Sequence, residues 1–581
     1  MKATTRILAL LLVAVLMIGM FAGCGPKVPD TTTGGNNTTT KGPDATTAAP
    51  TTVNKTNKHE VTVLVQNSIG GEYDMNKVYD LEIWKKIEEL MGAYGVTIKL
   101  QIVETDQYAT TLQTTLAGNK ADIPDLMFAE GSQLSESLRV QAIESGLLTA
   151  VQDCLVYSDG TASAGYEANP LYFARSAYNG KNYWFGEYQV VEYDGEYQGI
   201  GMGAPSGINI REDWMNELGM TEVPDTLEGL ADFVRACRKA DVNGTGVEDE
   251  VFSMAITGFS SCAYLCEWFG VPYSELVPNL KTGKVDSAWE TEGIKDMFKL
   301  MLEWLDEGLI PVDALGTKSQ SPWYKQNKAA LYGTYFCNNW SINAQTCPVP
   351  EGDATPNIVG VIPNKELYPN AYIYHDASPT IDNRIMMIGP NADKEAIGHI
   401  LDVLASEEWQ TLLNWGVEGW SYKVNDDGSK ELINGAEAGH TALATPGSAV
   451  AGRPVISFGM FAGGFFGVYD LLEDEAACDS DLELEIFREG MTWECVYPGQ
   501  YDGYLAIATP EEEEVINEYF TDFEMLSDEL FMKILLGEIS LDNWDAEVIA
   551  PLKEAGLDEL KEAYQSRFDR YFEAYQASLE G

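Results

Sequence analysis

The sequence predicts an α/β protein built from two lobes. Three observations support this fold class: a length of 581 residues, an alternation of strands and helices at the start of the folded part, and the return of that alternation later with longer helices. A chain of this length exceeds what one hydrophobic core usually supports, so we expect two or more compact parts. An apolar content of 45% and an aromatic content of 11% are typical of a folded protein.

The first alternation begins near residue 59. Residues 61–65 and 96–102 have the apolar patterns of strands, and residues 121–130 contain a third short strand. Apolar spacing predicts helices over about 79–91 and through 108–116, between these strands. Short connections in a β-α-β-α-β order favour a parallel sheet with helices on its faces.

Later helices are predicted from their start signals. VPDT at 223–226 supplies Asp225 or Thr226 as a cap, and a second helix covers about 292–306. TPE at 509–511 combines a hydroxyl cap, a proline in the first turn and an acid beside the positive end of the helix dipole. We therefore interpret the four glutamates at 511–514 as a helix start, and we expect a last helix over about 557–575.

The charge balance excludes some partners. With 37 basic and 90 acidic residues, the formal charge is −53, and such a field repels phosphate backbones and anionic lipid headgroups. We expect no nucleic-acid binding and no polybasic membrane contact, while divalent cations are attracted. The charge says nothing about catalysis.

The N-terminus predicts export and lipid anchoring. A short basic region precedes an apolar run at 7–20, which ends in FAGC, a sequence that resembles a bacterial lipobox. We expect a signal peptide at 1–23, cleavage before Cys24, diacylation of its thiol, and a flexible Thr-, Gly- and Pro-rich tether over 24–57. The alternative is an ordinary secretory signal followed by an incidental cysteine.

Eight cysteines remain after Cys24, and their pairing is open. An even number outside the cytoplasm permits disulfides, and Cys262 with Cys266 or Cys337 with Cys347 would close local loops. Cys237 falls on the apolar face of a helix, where a buried free thiol is the simpler interpretation. Four histidines without a tight cysteine pattern do not favour a transition-metal site.

Four stretches carry a family resemblance. They are GINIREDWMNELGMTEVPDTLEGLADFVRACRKADVNGTGVEDE, NKAALYGTY, SEEWQTLLNWGVEGWSYKVNDDGSKEL and GEISLDNWDAEVIAPLKEAGLDELKEAYQSRFDRY. In this order they resemble segments of the extracellular solute-binding proteins of family 1, the sugar-type lipoprotein receptors of ABC importers. The resemblance implies a two-lobed, type II periplasmic-binding-protein-like fold with a hinge crossed more than once, a C-terminal helical closure, and a monomer that delivers its ligand to a membrane permease.

The resemblance also suggests boundaries within the solute-binding part, 58–581. We expect a first lobe of about 58–175 plus 345–400, and a second lobe of about 176–344 plus 401–505. Residues 506–581 would form the C-terminal helices.

The expected ligand is a carbohydrate, most simply an oligosaccharide. Sugar C–H faces stack on aromatic rings, while acids and amides bind the hydroxyls. Aromatic residues in loops beside polar groups, and acids that flank a strand end, are the candidates: Trp340, Trp420, Trp268, Trp323, Trp184, Tyr183, Asp125 and Glu130.

The stretch DVNGTGVEDE at 241–250 resembles part of a calcium-binding loop. Side-chain oxygens stand at loop positions 1, 3, 5 and 9 with glycine at position 6, but position 12 is Phe252 instead of glutamate. Some members of the resembled family carry a structural calcium site in this loop. The candidate ligands are Asp241, Asn243, Thr245, the Val247 carbonyl, Asp249 and Glu250, and the alternative is a solvent-exposed turn. We expect no organic cofactor.

Three other functions stay open. A surface glycoside hydrolase needs two carboxylates across one bond, and 90 acidic residues make every such pair uninformative. The sequence has no GxSxG, HExxH or phosphate-loop motif, so we expect no enzyme. A sensor or adhesin would keep the same fold without a permease, and a peptide or amino-acid receptor would differ only in cargo.

Overall fold

The computed structural model of the chain describes residues 58–69, 73–74, 78–79, 82–130, 133–168, 176–186, 189–193, 196–200, 205–336, 358–375, 384–420, 422–426, 428–432, 467–470, 480–497 and 505–579. The signal peptide, Cys24, the tether, Trp340 and the cysteines Cys337, Cys347 and Cys478 lie outside these residues. Within the described ranges, no helix has both the length and the apolar character needed to cross a membrane.

The strands are, in chain order, β1 (His59–Gln66), β2 (Ser68–Ile69), β3 (Tyr73–Asp74), β4 (Val96–Val103), β5 (Leu126–Glu130), β6 (Ala177–Tyr178), β7 (Lys181–Asn182), β8 (Trp184–Gly186), β9 (Gln189–Tyr193), β10 (Glu196–Ile200), β11 (Pro205–Arg211), β12 (Val251–Phe252), β13 (Leu276–Asn279), β14 (Lys284–Ser287), β15 (Ala329–Tyr335), β16 (Ile358–Gly360), β17 (Tyr374–His375), β18 (Arg384–Ile388), β19 (Tyr422–Val424), β20 (Lys430–Leu432) and β21 (Gly467–Asp470).

The α-helices are α1 (Glu82–Ala93), α2 (Thr105–Ala117), α3 (Glu136–Glu144), α4 (Gln152–Leu155), α5 (Thr161–Ala168), α6 (Glu212–Glu217), α7 (Leu227–Ala240), α8 (Ala263–Cys266), α9 (Ile294–Glu307), α10 (Ser321–Lys325), α11 (Lys394–Leu404), α12 (Glu407–Trp415), α13 (Asp481–Met491), α14 (Pro510–Leu535), α15 (Ala550–Glu554) and α16 (Leu557–Leu579). Short 3-10 turns connect several of them, including one at Glu267–Phe269.

The first lobe is built on a sheet with the strand order β4-β1-β5-β18-β8. β1 runs parallel to β4 and β5, which confirms the parallel arrangement predicted from the β-α-β-α-β order. β18 is antiparallel to both β5 and β8. Helices cover the sheet and bury aromatic side chains such as Trp84, Tyr108 and Trp409 in one core.

The second lobe is built on a sheet with the order β12-β15-β11-β16, and β17 also pairs with β11. β11 is antiparallel to β15, β16 and β17. Its core includes Trp289, Phe298 and Met301, and the C-terminal helices pack on this core through Phe531 and Tyr571. This arrangement confirms the two-lobed α/β fold with a C-terminal helical closure.

The start of α14 follows the predicted signals. The Thr509 hydroxyl accepts from Glu512 N (3.3 Å), and the Glu512 carboxylate accepts from Thr509 N (2.8 Å), with Pro510 in the first turn. The glutamate run is therefore the start of a capped helix. α7 likewise starts after Thr226, whose hydroxyl accepts from Gly229 N at 3.0 Å.

Three of the expected lobe boundaries are corrected. β8 belongs to the first sheet, where it pairs with β18, although it was expected in the second lobe. β16 and β17 belong to the second sheet instead of the first lobe. α12 packs on the first core through Trp409 and Leu412 instead of joining the second lobe. In each case the partners are far apart in sequence, and local patterns carry no information about such pairing.

The described cysteines are free thiols: Cys154, Cys237, Cys262, Cys266 and Cys495. Cys237 is fully buried, as its place on the apolar face of α7 predicted. Cys262 and Cys266 form no local disulfide.

Candidate ligand-binding cleft

The edge of the first lobe that faces the second is identified by the chain crossings. The chain leaves the first sheet after Gly186 and returns to it at Arg384, and the register places Gly186 beside Ile385 and Arg384 beside Glu130. Both crossings therefore occur at the carboxyl ends of β1, β4 and β5. Open α/β sheets bind ligands outside this end of their strands.

The corresponding edge of the second lobe lies where β11 begins and β17 ends. Pro205 pairs with His375 and Ser206 pairs with Tyr374, so the incoming and outgoing chains run side by side. Ser206 also pairs with Tyr335 at the end of β15. These strand ends form the second candidate wall of the cleft.

The first wall is rich in amides. The Gln133 side-chain amide donates to Gln66 Oε1 at 2.9 Å, and the Asn67 amide donates to Glu104 Oε2 at 3.1 Å. Side-chain amides both donate and accept hydrogen bonds, which suits sugar hydroxyls. The Tyr108 hydroxyl lies between Leu64 O (3.0 Å) and Phe128 O (2.6 Å) and fixes β1 against β5 directly behind this wall.

The second wall is rich in tyrosines. Tyr374 lies in edge-to-face contact with Tyr264 (ring centroids 6.4 Å apart) and Tyr273 (5.1 Å). The Tyr264 ring lies directly on Gly333 of β15, where a Cβ atom would overlap it. Tyr264 and Tyr374 are partly exposed, whereas Tyr273 is buried. These tyrosines were not among the predicted residues, although Tyr374 belongs to the alternating run AYIYH at 371–375.

A carboxyl group is buried behind the tyrosines. Glu267 is 1% exposed, and its Oε1 has no hydrogen-bond partner. Burial raises the pKa of Glu267 well above its ordinary value, although a backbone hydrogen bond from Tyr374 opposes this shift. Burial thus disfavours a negative charge at this place behind the second wall.

Three predicted ligand contacts are corrected because their side chains lie in the cores. Trp184 is fully buried in the first core, with the Arg139 guanidinium 4.9 Å from its ring centroid. Trp268 (2% exposed) and Trp323 (5% exposed) belong to the second core. Their polar sequence neighbours suggested loops, but apolar packing governs their positions.

Two further predictions lie at the opposite edge of the first sheet. Asp125 precedes β5, and its Oδ2 accepts from Thr62 N and from Thr62 Oγ1, both at 2.8 Å. Tyr183 precedes β8, and its carbonyl accepts from Ile388 N at 3.5 Å. Both residues stand at the start of a strand, before the carboxyl ends at which the chain crosses. Their contact with a ligand stays a prediction.

Two predicted residues stay candidates. Glu130 ends β5 at the edge where the crossings occur. Trp420 is partly exposed in the turn after α12, where its backbone N donates to Val417 O at 3.0 Å.

The loop at 241–250 folds around its own polar side chains. Asp241 caps the end of α7 in the left-handed conformation (φ 52°), and both of its carboxylate oxygens accept from Gly246 N (2.9 and 3.1 Å). The Asn243 amide and the Thr245 hydroxyl both donate to Asp249 Oδ1, at 2.9 and 3.1 Å. The loop is thus closed by the residues expected to bind calcium.

Glu250 tests whether this loop suits a cation. It is fully buried, its Oε1 lies 3.4 Å from Asn243 N, and its Oε2 has no hydrogen-bond partner. A buried carboxylate oxygen that lacks a donor fits a missing cation. In this structure, the side chains of the loop are not arranged as metal ligands. Within the described ranges, no group of three or more His, Cys, Asp or Glu residues is placed to hold a metal.

Lys328 places a positive charge beside the 241–250 loop. Its ammonium lies 3.1 Å from Asp249 Oδ2. Burial of Asp249 opposes its ionisation, but hydrogen bonds from Asn243 and Thr245 together with the Lys328 charge lower the pKa of this carboxyl below its usual value. The Asp249 carboxylate is therefore ionised at neutral pH.

Comparison with known proteins gives one curated relative. No family model matches the chain. This chain is 23% identical over 386 residues to the fructooligosaccharide ABC transporter substrate-binding protein FusA of Streptococcus pneumoniae serotype 4. The match covers 64% of this chain and 65% of the relative, slightly less than two thirds of that protein's length.

Solved structures share the fold over most of the chain. A human-milk-oligosaccharide-binding solute-binding protein from Bifidobacterium longum infantis aligns with a TM-score of 0.62 at 17% identity, over 88% of this chain and 99% of its own. FusA in complex with kestose aligns with a TM-score of 0.60 at 17% identity, over 89% and 100%. The alginate-binding protein AlgQ2 without calcium ion gives 0.58 at 17% identity, over 89% and 99%.

The chain therefore has the fold of the substrate-binding proteins of ABC transporters and is related in sequence to one of them, which confirms the resemblance drawn from its sequence.

Proposed function

We propose that the chain is the substrate-binding component of an ABC importer, and that it captures an oligosaccharide between its two lobes. The observation that carries this proposal is the different chemistry of the two edges at which the chain crosses between the lobes. The Asn67 and Gln133 amides of the first lobe suit sugar hydroxyls, with the buried Gln66 holding the Gln133 amide, and Tyr264 and Tyr374 of the second lobe suit sugar C–H faces. Contacts to both walls would favour the closed state, which a permease can distinguish from the open one.

The relatives support a carbohydrate cargo. The curated relative is described as a fructooligosaccharide-binding protein, and structural neighbours bind kestose, human-milk oligosaccharides or alginate. Their cargoes differ from one another, so the class of ligand is better supported than any one sugar.

A ligand panel tests this function. Thermal unfolding of the full chain is followed with kestose, alginate oligosaccharides, human-milk oligosaccharides, peptides and amino acids, and each sugar is analysed afterwards by chromatography. The proposal expects an increase in the melting temperature with at least one oligosaccharide, which is recovered intact. Cleaved sugar would indicate a hydrolase, and an increase only with peptides or amino acids would indicate a different receptor. Either result would overturn the proposal.

We also propose that the protein is an extracytoplasmic lipoprotein. FAGC at 21–24 and the apolar run before it support removal of residues 1–23 and lipid attachment at Cys24, with 24–57 as the tether. Mass spectrometry of the membrane-extracted protein should detect a diacylated N-terminal cysteine. A Cys24→Ser variant should be released from the membrane fraction, and retention of that variant would contradict the proposal.

Calcium at 241–250 is proposed as a structural brace. The oxygens of Asp241, Asn243, Thr245, Asp249, Glu250 and the Val247 carbonyl would hold it, and the orphan Oε2 of Glu250 is the observation that favours it. Calcium would supply two positive charges between the end of α7 and the start of β12. Solved relatives include AlgQ2 without calcium ion and a FusA EF-hand mutant.

Chelation tests the brace. Removing calcium should lower the melting temperature of the wild type and leave Asp241→Ala unchanged, since that variant has already lost a ligand. An equal melting temperature with and without chelator in the wild type would contradict the brace.

A further inference from the structure

Residues 505–508 are held by both lobes at once. Leu505 lies in the core of the second lobe, and Ile507, two residues later, lies in the core of the first. The chain then enters α14, which packs on the second lobe. This short segment, called here the 505–508 anchor, therefore joins the two cores directly.

Two arginines of α16 fix the backbone of the anchor. Arg567 Nε donates to Ala506 O at 2.8 Å, and Ala506 N donates to Arg567 O at 3.2 Å. Arg570 Nη2 donates to Ile507 O at 2.9 Å. α16 belongs to the second lobe, because Tyr564, Phe568 and Tyr571 lie in its core.

Glu136 fixes the anchor from the first lobe. It is the first residue of α3, a helix that packs on the first core through Val140 and Ile143. Its Oε1 accepts from Ala508 N at 3.0 Å, and both carboxylate oxygens lie 3.2 Å from Arg567 Nη2. The Arg567 side chain is 9% exposed and that of Glu136 is 25% exposed, so this ion pair is shielded from water.

The exit of the anchor into α14 is fixed as well. Arg570 donates from Nη1 to Glu512 Oε1 (2.6 Å) and from Nη2 to Glu512 Oε2 (2.8 Å). The same Glu512 carboxylate caps α14 by accepting from Thr509 N. One arginine therefore links the anchor, the helix start and α16.

We propose that the 505–508 anchor is a fixed pivot, about which the lobes rotate without separating. A hinge usually consists of a few residues that absorb changes in backbone dihedrals. The anchor has the opposite construction, because Ala506 O, Ile507 O and Ala508 N are bonded to charged side chains from both lobes. Removing one partner of a shielded ion pair is strongly destabilising. The dihedral changes of closure then occur outside the anchor.

Hydrogen exchange of the full chain tests the pivot without any ligand. In the wild type, the amides of Ala506 and Ala508 should exchange slowly, since both donate to partners in the anchor. Glu136→Ala removes the acceptor of Ala508 and the partner of Arg567. It should speed exchange of peptides covering 505–509 by about tenfold or more, as expected for loss of a charge-assisted hydrogen bond. Scattering from the same variant should show a broader distribution of interlobe distances.

Two further variants keep the test decisive. Arg567→Lys keeps the charge but loses the simultaneous contacts to Ala506 O and Glu136, so exchange in 505–509 should increase in this variant too. It therefore serves as the test if Glu136→Ala unfolds the chain. Arg235→Gln removes an exposed ion-pair cluster with Glu228, Asp232 and Glu307 that lies within the second lobe, and it should leave residues 505–509 unchanged. Unaltered protection of 505–509 in both Glu136→Ala and Arg567→Lys would overturn the pivot.

A second hydrogen-exchange experiment adds an oligosaccharide, and this experiment rests on the proposed function. Binding should leave exchange in 505–509 unchanged, and a change in 505–509 comparable to that of the peptides most affected by the sugar would overturn the pivot. Failure of every oligosaccharide to bind would count against the proposed function alone, because the ligand-free arm still decides the pivot.

Discussion

The two walls of the cleft differ in chemistry because the two sheets differ in construction. Gln66 ends β1, and Asn67 and Gln133 follow the ends of β1 and β5, so the parallel strands bring these amides to one edge. The second sheet is mainly antiparallel, and its edge is formed by a tyrosine group around Tyr374. The first lobe therefore supplies hydrogen bonds to the ligand, and the second supplies stacking. Each contribution can be removed by a variant in its own lobe.

The largest expected effect concerns the core of the second lobe. Trp289 is fully buried against Phe259 and Trp544, and its Nε1 donates to Ser527 Oγ at 2.9 Å. Trp289→Ala should lower the free energy of unfolding by about 3–5 kcal/mol, measured by calorimetry. Trp289→Phe, which keeps a ring, should lose less. A loss below about 1 kcal/mol for the alanine variant would show that the second wall does not depend on this core.

The next effect separates the walls. Tyr264→Ala should weaken oligosaccharide binding by about 2 kcal/mol, the loss typical of an aromatic hot spot, whereas Gln133→Ala should lose about 1 kcal/mol from hydrogen bonding. Titration calorimetry with the sugar found in the ligand panel measures both. Trp268→Phe is the matched control, because Trp268 is a core residue and its replacement should leave affinity unchanged. If Trp268→Phe weakens binding more than Tyr264→Ala does, the assignment of the second wall is wrong.

A smaller effect compares two carboxyl groups whose pKa values are both raised. Asp402 of the first lobe is buried, but Ser158 Oγ, Asp159 N and Ala162 N all donate to it. Asp528 of the second lobe instead faces two acids: burial, then Glu275 and Glu524, raises its pKa to about 6. Because this pKa lies above the unfolded value of 3.8, the folded state binds more protons. The stabilisation by the bound proton is complete below the unfolded pKa and is lost as pH rises through about 6.

Asp528→Asn should therefore stabilise the protein above pH 7 and have little effect near pH 4. The gain should be at most about 1 kcal/mol, since the side chain is exposed and solvent screens its neighbours. Melting temperatures across this pH range measure it. A gain that is larger at pH 4 than at pH 7 would contradict the assignment.

The smallest effect is expected at the surface. Arg235 binds Glu307 at 2.7 Å as well as Glu228 and Asp232, but the Arg235 side chain is 36% exposed. Arg235→Ala should change the free energy of unfolding by less than about 1 kcal/mol in urea denaturation. A larger loss would mean that the surface of the second lobe contributes more to stability than its core residues suggest.

The sequence predicted the first lobe best, because its consecutive elements pair with one another. Strands β1, β4 and β5 and the helices between them follow local apolar periods, so their positions are readable. The pairing of β8 with β18 joins residues near 185 and 386, and no local pattern encodes it. The same reason explains why the expected lobe boundaries were wrong at β16, β17 and α12.

The candidate site was less predictable than the fold. Trp184, Trp268 and Trp323 were predicted in the cleft from their polar neighbours, but a large apolar ring gains more from burial in a core. Tyr264 of α8 and Tyr374 of β17 are brought together by the packing of a helix beside a strand that is distant in sequence, which local sequence does not show. Asp125 precedes β5 and Glu130 ends it, so the two predicted acids stand at opposite ends of one strand.

Small-angle scattering with and without bound sugar tests the central claim most directly. A saturating oligosaccharide, such as a fructooligosaccharide that raises the melting temperature, should lower the radius of gyration of the wild type and be recovered intact. Tyr264→Ala should need a higher sugar concentration for the same change. An oligosaccharide that binds while the radius of gyration stays constant, or that is cleaved, would contradict a receptor whose lobes close around its cargo.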